Sequence, residues 1–218
     1  MVTVAVESEM ADAELYQDLG LQVASKRRTK KPRILSILSL VYDKLVQKNE
    51  ALIQSKEIMD TVTDFHGRKA PDVGIQQYIE RIYTYSSCSP SCFVIAHIYI
   101  DRLLQRQNMH MTSLNVHRLL ITAVMAAAKF MDDAFFNNAY YARVGGVSSK
   151  ELNKLEMTFL FGIDFRLQVT VDTFYKYCLM LQSEASNGLK IERSIHICGV
   201  KGTWSYNDDT TSGITIAR

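Results

Sequence analysis

The side chains in this sequence best suited to metal binding or proton transfer are Cys88 and Cys92, four residues apart, and His97 and His117. A structural zinc site needs four ligands, usually in two closely spaced pairs. No second pair accompanies Cys88-x-x-x-Cys92, and Cys178 and Cys198 stand alone. Neither histidine is placed by the pattern beside Cys178 or a serine, so a nucleophile–base arrangement has no support. Gly145-Gly146 lacks the flanking residues of a phosphate-cradling loop or a dinucleotide fingerprint and reads as a helix stop. The sequence therefore predicts no catalytic residue, no metal, no cofactor and no small-molecule substrate. One dense basic run, Lys26-Arg27-Arg28-Thr29-Lys30-Lys31-Pro32-Arg33, reads equally as a nuclear address or acidic-partner contact and as a solvated linker.

Composition narrows the class further. A chain of 218 residues has room for one well-buried core and flexible ends. Hydrophobic residues make up 47% and charged residues 22%, the balance of a globular protein, and a net charge of +2 argues against a nucleic-acid partner. Met1 to Met10 carries Glu7 and Glu9 and does not resemble a secretory signal. No apolar run reaches the roughly 18–20 residues that span a bilayer, so no membrane association is expected. Four scattered cysteines suit a reducing nucleus or cytoplasm rather than a disulfide scaffold.

The elements that must position any functional residue are helices. The first two dozen residues read as poorly packed, with at most a short helix over 12–19. Pro32 opens a helix from Arg33 to Gln47 with Ile34, Ile37, Leu38, Val41 and Leu45 on one stripe. Glu50 to Asp72 reads as a connector. Ile75, Tyr78, Ile79, Ile82 and Tyr83 mark a first core helix, and Ser89-Pro90 opens a second through Phe93, Ala96, His97, Ile100, Leu103 and Leu104. Thr112 or Ser113 is expected to cap a third, apolar nearly all round from Val116 to Ala128 and so central in a bundle. A short fourth spans about Asn138 to Arg143. Ser148-Ser149-Lys150-Glu151 reads as a capping box for the fifth, through Leu152, Leu155, Phe159 and Leu160. Thr170 caps a last helix with Val171, Phe174, Tyr175, Cys178 and Leu181 on its apolar side. The fold class is all-α: residues 1–32 a flexible segment, 33–182 the helical domain, 183–218 a mostly irregular tail.

Particular residues also carry a resemblance. Tyr99-Ile100-Asp101-Arg102 looks like the end of the second helix of a cyclin box, and Leu119 through Lys129-Phe130 like its third helix. Asp132-Asp133, the run Asn137-Asn138-Ala139-Tyr140-Tyr141-Ala142-Arg143-Val144-Gly145-Gly146-Val147, and Glu151-Leu152-Asn153-Lys154-Leu155-Glu156 resemble a narrower group. That group is the P-type (U-type) cyclins of plants, similar to the phosphate-signalling cyclins of yeast. The resemblance covers about Pro32 to Gln182 and implies a single five-helix cyclin box preceded by one helix.

It further implies a non-catalytic regulatory subunit that binds and activates a cyclin-dependent serine/threonine kinase, in cell-cycle control or in phosphate or nutrient signalling. Such a subunit docks beside the kinase's mobile αC helix and shifts the kinase toward its competent state. By this resemblance Lys129 and Glu156 are the family's paired charges, and Leu160, Phe165 and Leu167 its apolar contacts. Alternating Phe165 and Leu167 read as an extended stretch with both side chains on one side. Met131 is an apolar residue where many cell-cycle cyclins place a glutamate, a departure that fits the plant and yeast group. Two other readings stay open: a cyclin-fold adaptor without kinase activation, and a transcription-associated module, against which the mixed charges of the fifth helix argue.

Overall fold

The computed structural model describes residues 12–21 and 31–186. Eight helices, and no strand, occur among them: α1 (residues 12–19), α2 (Arg33–Gln54), α3 (Ile75–Ser86), α4 (Ser91–Gln107), α5 (Val116–Met131), α6 (Asn138–Gly145), α7 (Ser149–Gly162) and α8 (Val171–Ser186). Residues 26–30 of the basic run, and the tail from 187 with its Ile195-to-Cys198 segment, lie outside the described residues.

α5 occupies the middle because its sequence leaves no polar face: twelve of its sixteen residues are buried. It packs on α3, α4, α6 and α7, most extensively on α4. Burying Leu119, Leu120, Ile121 and Val124 contributes about 1.5–3 kcal/mol each. The alanines Ala123, Ala126, Ala127 and Ala128 let neighbouring helices approach closely. At the far end of α7, Gly162 serves the same purpose against α4. A Cβ there would stand 2.3 Å from Leu103 Cδ1.

α2 lies across α3, α4 and α8. Its apolar stripe is consumed by this internal packing, and the helix runs on to Gln54, seven residues past the Gln47 end read from periodicity. Beyond it the connector is pinned: Phe65 is buried edge-on to Phe159, and Asp64 pairs with Lys154 at 2.7 Å. Residues 12–21 also depart from expectation. Leu15, Leu19 and Leu21 are buried, Tyr16 meets Phe174 and Tyr175 of α8, and Asp18 bonds both Arg33 and Gln182.

Helix ends follow local rules with three corrections, the first at α4, where Pro90 rather than Ser89 is the cap residue and the Ser89 hydroxyl meets Cys92 Sγ at 3.3 Å. Asn137 Oδ1 accepts from the Tyr140 amide at 2.9 Å and starts α6, while Gly146 ends it at φ 71°, a left-handed conformation natural to glycine. Thr170 caps α8 through the Thr173 amide as expected, but Val171, expected on the apolar side, is exposed in the first turn. For α5, however, Asn115 rather than Thr112 or Ser113 is the cap residue, its carboxamide oxygen accepting from the Thr112 amide. Only half of the capping box at α7 forms. Ser148 Oγ accepts from the Glu151 amide at 3.0 Å, but the Glu151 carboxylate turns to Arg118 of α5 at 2.7 Å. A guanidinium is a stronger donor than the serine amide it displaces.

Candidate functional site

Three helices converge on one ion pair. Lys129 sits in the last turn of α5, where unpaired carbonyls favour a cation. Its Nζ lies 2.6 Å from Glu156 Oε1 on α7, with the side chains 27% and 16% exposed. The other oxygen, Oε2, accepts from Asn138 Nδ2 at 2.7 Å, and that nitrogen also lies 2.7 Å from Asn153 Oδ1. Asn138 opens α6, so the pair ties α5, α6 and α7 together. Both carboxylate oxygens are engaged, whereas the lysine, with three N–H donors, bonds only Glu156 among the described residues. The pair is positioned, partly shielded and accessible.

The helices that carry the pair also leave apolar side chains exposed. Phe130 and Met131 end α5 half-exposed, and Met157 and Phe161 stand one turn apart on the outer side of α7. Phe161 is 64% and Phe165 53% exposed, their rings edge to face at 5.2 Å. Leu160 is half-buried on α7, and its carbonyl accepts from the Phe165 amide at 2.9 Å. With the bond from the Asp164 amide to the Phe161 carbonyl, this closes α7 in a Schellman-type turn. Asp164 takes the left-handed position at φ 57°, and Phe165 follows at φ 54°, a strained conformation for a bulky residue. Phe165 and Leu167 therefore do not alternate along an extended strand. Phe165 points outward from the turn, while Leu167 is half-buried against the core.

The stretch beyond that turn is held by α4. Tyr99, Arg102 and Arg106 recur at helical spacing and reach backbone carbonyls. Tyr99 Oη donates to Leu167 O at 2.5 Å, Arg102 to Arg166 O at 2.5 Å and Gln168 O at 3.1 Å, and Arg106 Nε to Gly162 O at 3.1 Å. Arg106 also lies 3.6 Å from Asp164 Oδ2. The Tyr99-Ile100-Asp101-Arg102 motif thus has a definite task, which is to fasten the segment carrying Phe165 to the body of the domain.

The other chemistry-bearing residues are structural. Cys88, Cys92 and Cys178 are free thiols buried in the core, the first two beside the Ser86 and Ser89 hydroxyls. His97 is buried with Nδ1 3.0 Å from Tyr42 Oη, and burial drives its pKa down to about 4. One turn along α4, buried Asp101 accepts from Tyr177 Oη and from Gln105 Nε2. Burial pushes its pKa up to about 6, opposed by those two bonds and by Arg102. His117 Nε2 lies 2.8 Å from the Val73 carbonyl. Of the basic run, Lys31 pairs with Glu80 and Arg33 with Asp18.

Sequence reasoning named Lys129, Glu156, Leu160, Phe165 and Leu167, and the structure brings the first two into direct contact. It missed Asn138 as a partner of Glu156, and the exposed Met157 and Phe161 of α7. For Phe161 a signal existed: it falls off the Leu152, Leu155, Phe159 stripe, and a phenylalanine on the polar side of an amphipathic helix has no core to enter.

Comparison with known proteins identifies relatives of the whole domain. A family model described as Cyclin matches residues 32–167. The chain is 52% identical to Cyclin-P3-1 of Oryza sativa subsp. japonica over 206 residues, covering 93% of this chain and 87% of that protein. It is 46% identical to Cyclin-U3-1 of Arabidopsis thaliana over 223 residues, spanning the whole of both, and 48% identical to Cyclin-U1-1 of the same plant, covering 79% and 82%.

Proposed function

Because the chain belongs to the cyclin family and to its plant P/U type, we propose that it binds a cyclin-dependent protein kinase and holds that kinase's αC helix in the active position. The observation that carries this reading is the partly shielded Lys129–Glu156 pair, on a domain that also leaves Phe161 and Phe165 exposed at the end of α7. Moving a kinase from mostly inactive to mostly active takes several kcal/mol of differential binding. Surface charges alone supply too little, whereas burial of exposed aromatic side chains together with a shielded, hydrogen-bonding pair supplies enough. On this reading the aromatic side chains provide contact area, and the free N–H groups of Lys129 cap backbone carbonyls of the kinase. The unbridged thiols suit action in the nucleus or cytoplasm.

The test is co-purification with candidate cyclin-dependent kinases, followed by phosphorylation of a serine-proline peptide. Lys129→Glu and Glu156→Lys each bring like charges together at the rim. We expect each to weaken the complex at least tenfold, with circular dichroism unchanged. Wild-type affinity in both variants would remove these two residues from the interface.

A further inference from the structure

A second site lies on the opposite side of α6, away from Asn138 and the ion pair. Between α3 and α6 an open cavity of about 450 Å³ is lined by Arg81, Tyr85, Tyr140, Arg143 and Val144. Arg33, Arg106, Arg118 and Arg166 each pair with a carboxylate. Arg81 and Arg143, both exposed, have no carboxylate within ion-pair distance among the described residues, and they meet at this cavity. Their positions are fixed all the same. Arg81 Nη2 donates to the Arg143 carbonyl at 3.2 Å, and the Arg143 guanidinium lies 5.5 Å from the centre of the Tyr140 ring. Tyr140 is itself held, stacked on Phe136 at 4.0 Å and donating through Oη to the Tyr85 carbonyl at 2.9 Å.

We propose that this cavity binds a phosphorylated serine or threonine side chain within a peptide. Two guanidiniums without a carboxylate partner match the charge of one phosphomonoester, which at neutral pH carries nearly two negative charges and three acceptor oxygens. Guanidinium forks suit those oxygens better than they suit a single carboxylate, which one arginine already satisfies. The cavity exceeds the size of a phosphate group, leaving the Tyr85 and Tyr140 rings to pack on neighbouring peptide residues. Binding at this site is independent of the kinase-docking reading, because it needs only the isolated chain.

The experiment titrates the full chain with a fluorescent library of phosphothreonine-proline peptides with randomised flanks, beside the same library unphosphorylated and one with glutamate for phosphothreonine. O-phosphothreonine serves as a small probe, followed by NMR of the arginine side chains. We expect the phosphorylated library to bind at least tenfold more tightly than either control, and Arg81→Gln and Arg143→Gln each to lose that preference with the fold intact. O-phosphothreonine is expected to shift the side-chain signals that vanish in those two variants. Equal binding of the glutamate library, retention of the preference in the double variant, or no response to either phosphate probe would each overturn the assignment.

Discussion

His97 and Asp101, one turn apart on α4, titrate in opposite senses, and the opposition is measurable. The buried imidazole has its pKa lowered from 6.5 to about 4, so the unfolded chain binds the proton more tightly. Its contribution to stability is complete above the unfolded pKa and is lost as pH falls toward 4. The buried carboxyl has its pKa raised from 3.8 to about 6, so the folded chain binds the proton more tightly. Its contribution is complete below the unfolded pKa and is lost as pH rises through 6. Each pKa unit is worth 1.36 kcal/mol, so each residue carries about 3 kcal/mol of pH dependence, with opposite slopes over nearly the same range. The wild-type pair should therefore leave stability almost level between about pH 4 and pH 6. Asp101→Asn imitates the protonated carboxyl and unmasks the histidine. Relative to wild type it should match at pH 4 and gain about 3 kcal/mol by pH 7. His97→Gln should leave the reverse slope. Urea denaturation of the three proteins in half-unit pH steps reads both differences directly, and the differences cancel contributions from every other group. An Asp101→Asn difference that is level, or that shrinks as pH rises, would refute the reasoning.

Two further outcomes follow from backbone geometry. Phe165→Gly relieves the φ 54° conformation while removing an exposed aromatic, so thermal unfolding should stay at or above the wild-type temperature while kinase affinity falls severalfold. A clear loss of thermal stability would show that the ring serves the fold instead. Gly162→Ala forces a Cβ into Leu103 at the crossing of α4 and α7 and should cost about 1–3 kcal/mol by chemical denaturation, with an unchanged unfolding midpoint counting against so tight a crossing.

Most of the helical order was legible in the sequence because apolar spacing and end signals agree over long stretches. Val116 to Ala128 lacks a polar face and could only be central, and Gly146 and Thr170 end or start helices for local reasons. The errors arose where a distant partner prevailed. Glu151 matched a capping box, yet Arg118 lies 33 positions away along the chain and no local rule could anticipate it. The segment around Leu15 and Leu19 read as poorly packed, yet both are buried, and Tyr16 between them meets Phe174 and Tyr175 of α8, far along the chain. Lys129 and Glu156, 27 residues apart, were linked by family resemblance and not by any periodicity. Phe165 was misjudged for a physical reason: nothing in its residue type announces a positive φ, which is imposed by the bonds closing α7.

The way Tyr99, Arg102 and Arg106 grip their target has an evolutionary consequence. They hold main-chain oxygens, which every amino acid possesses, so the side chains at Phe165, Arg166 and Gln168 are free to vary without loosening the grip. A lineage of such proteins could thus exchange one partner for another by changing a few outward-facing residues, with the scaffold beneath them undisturbed.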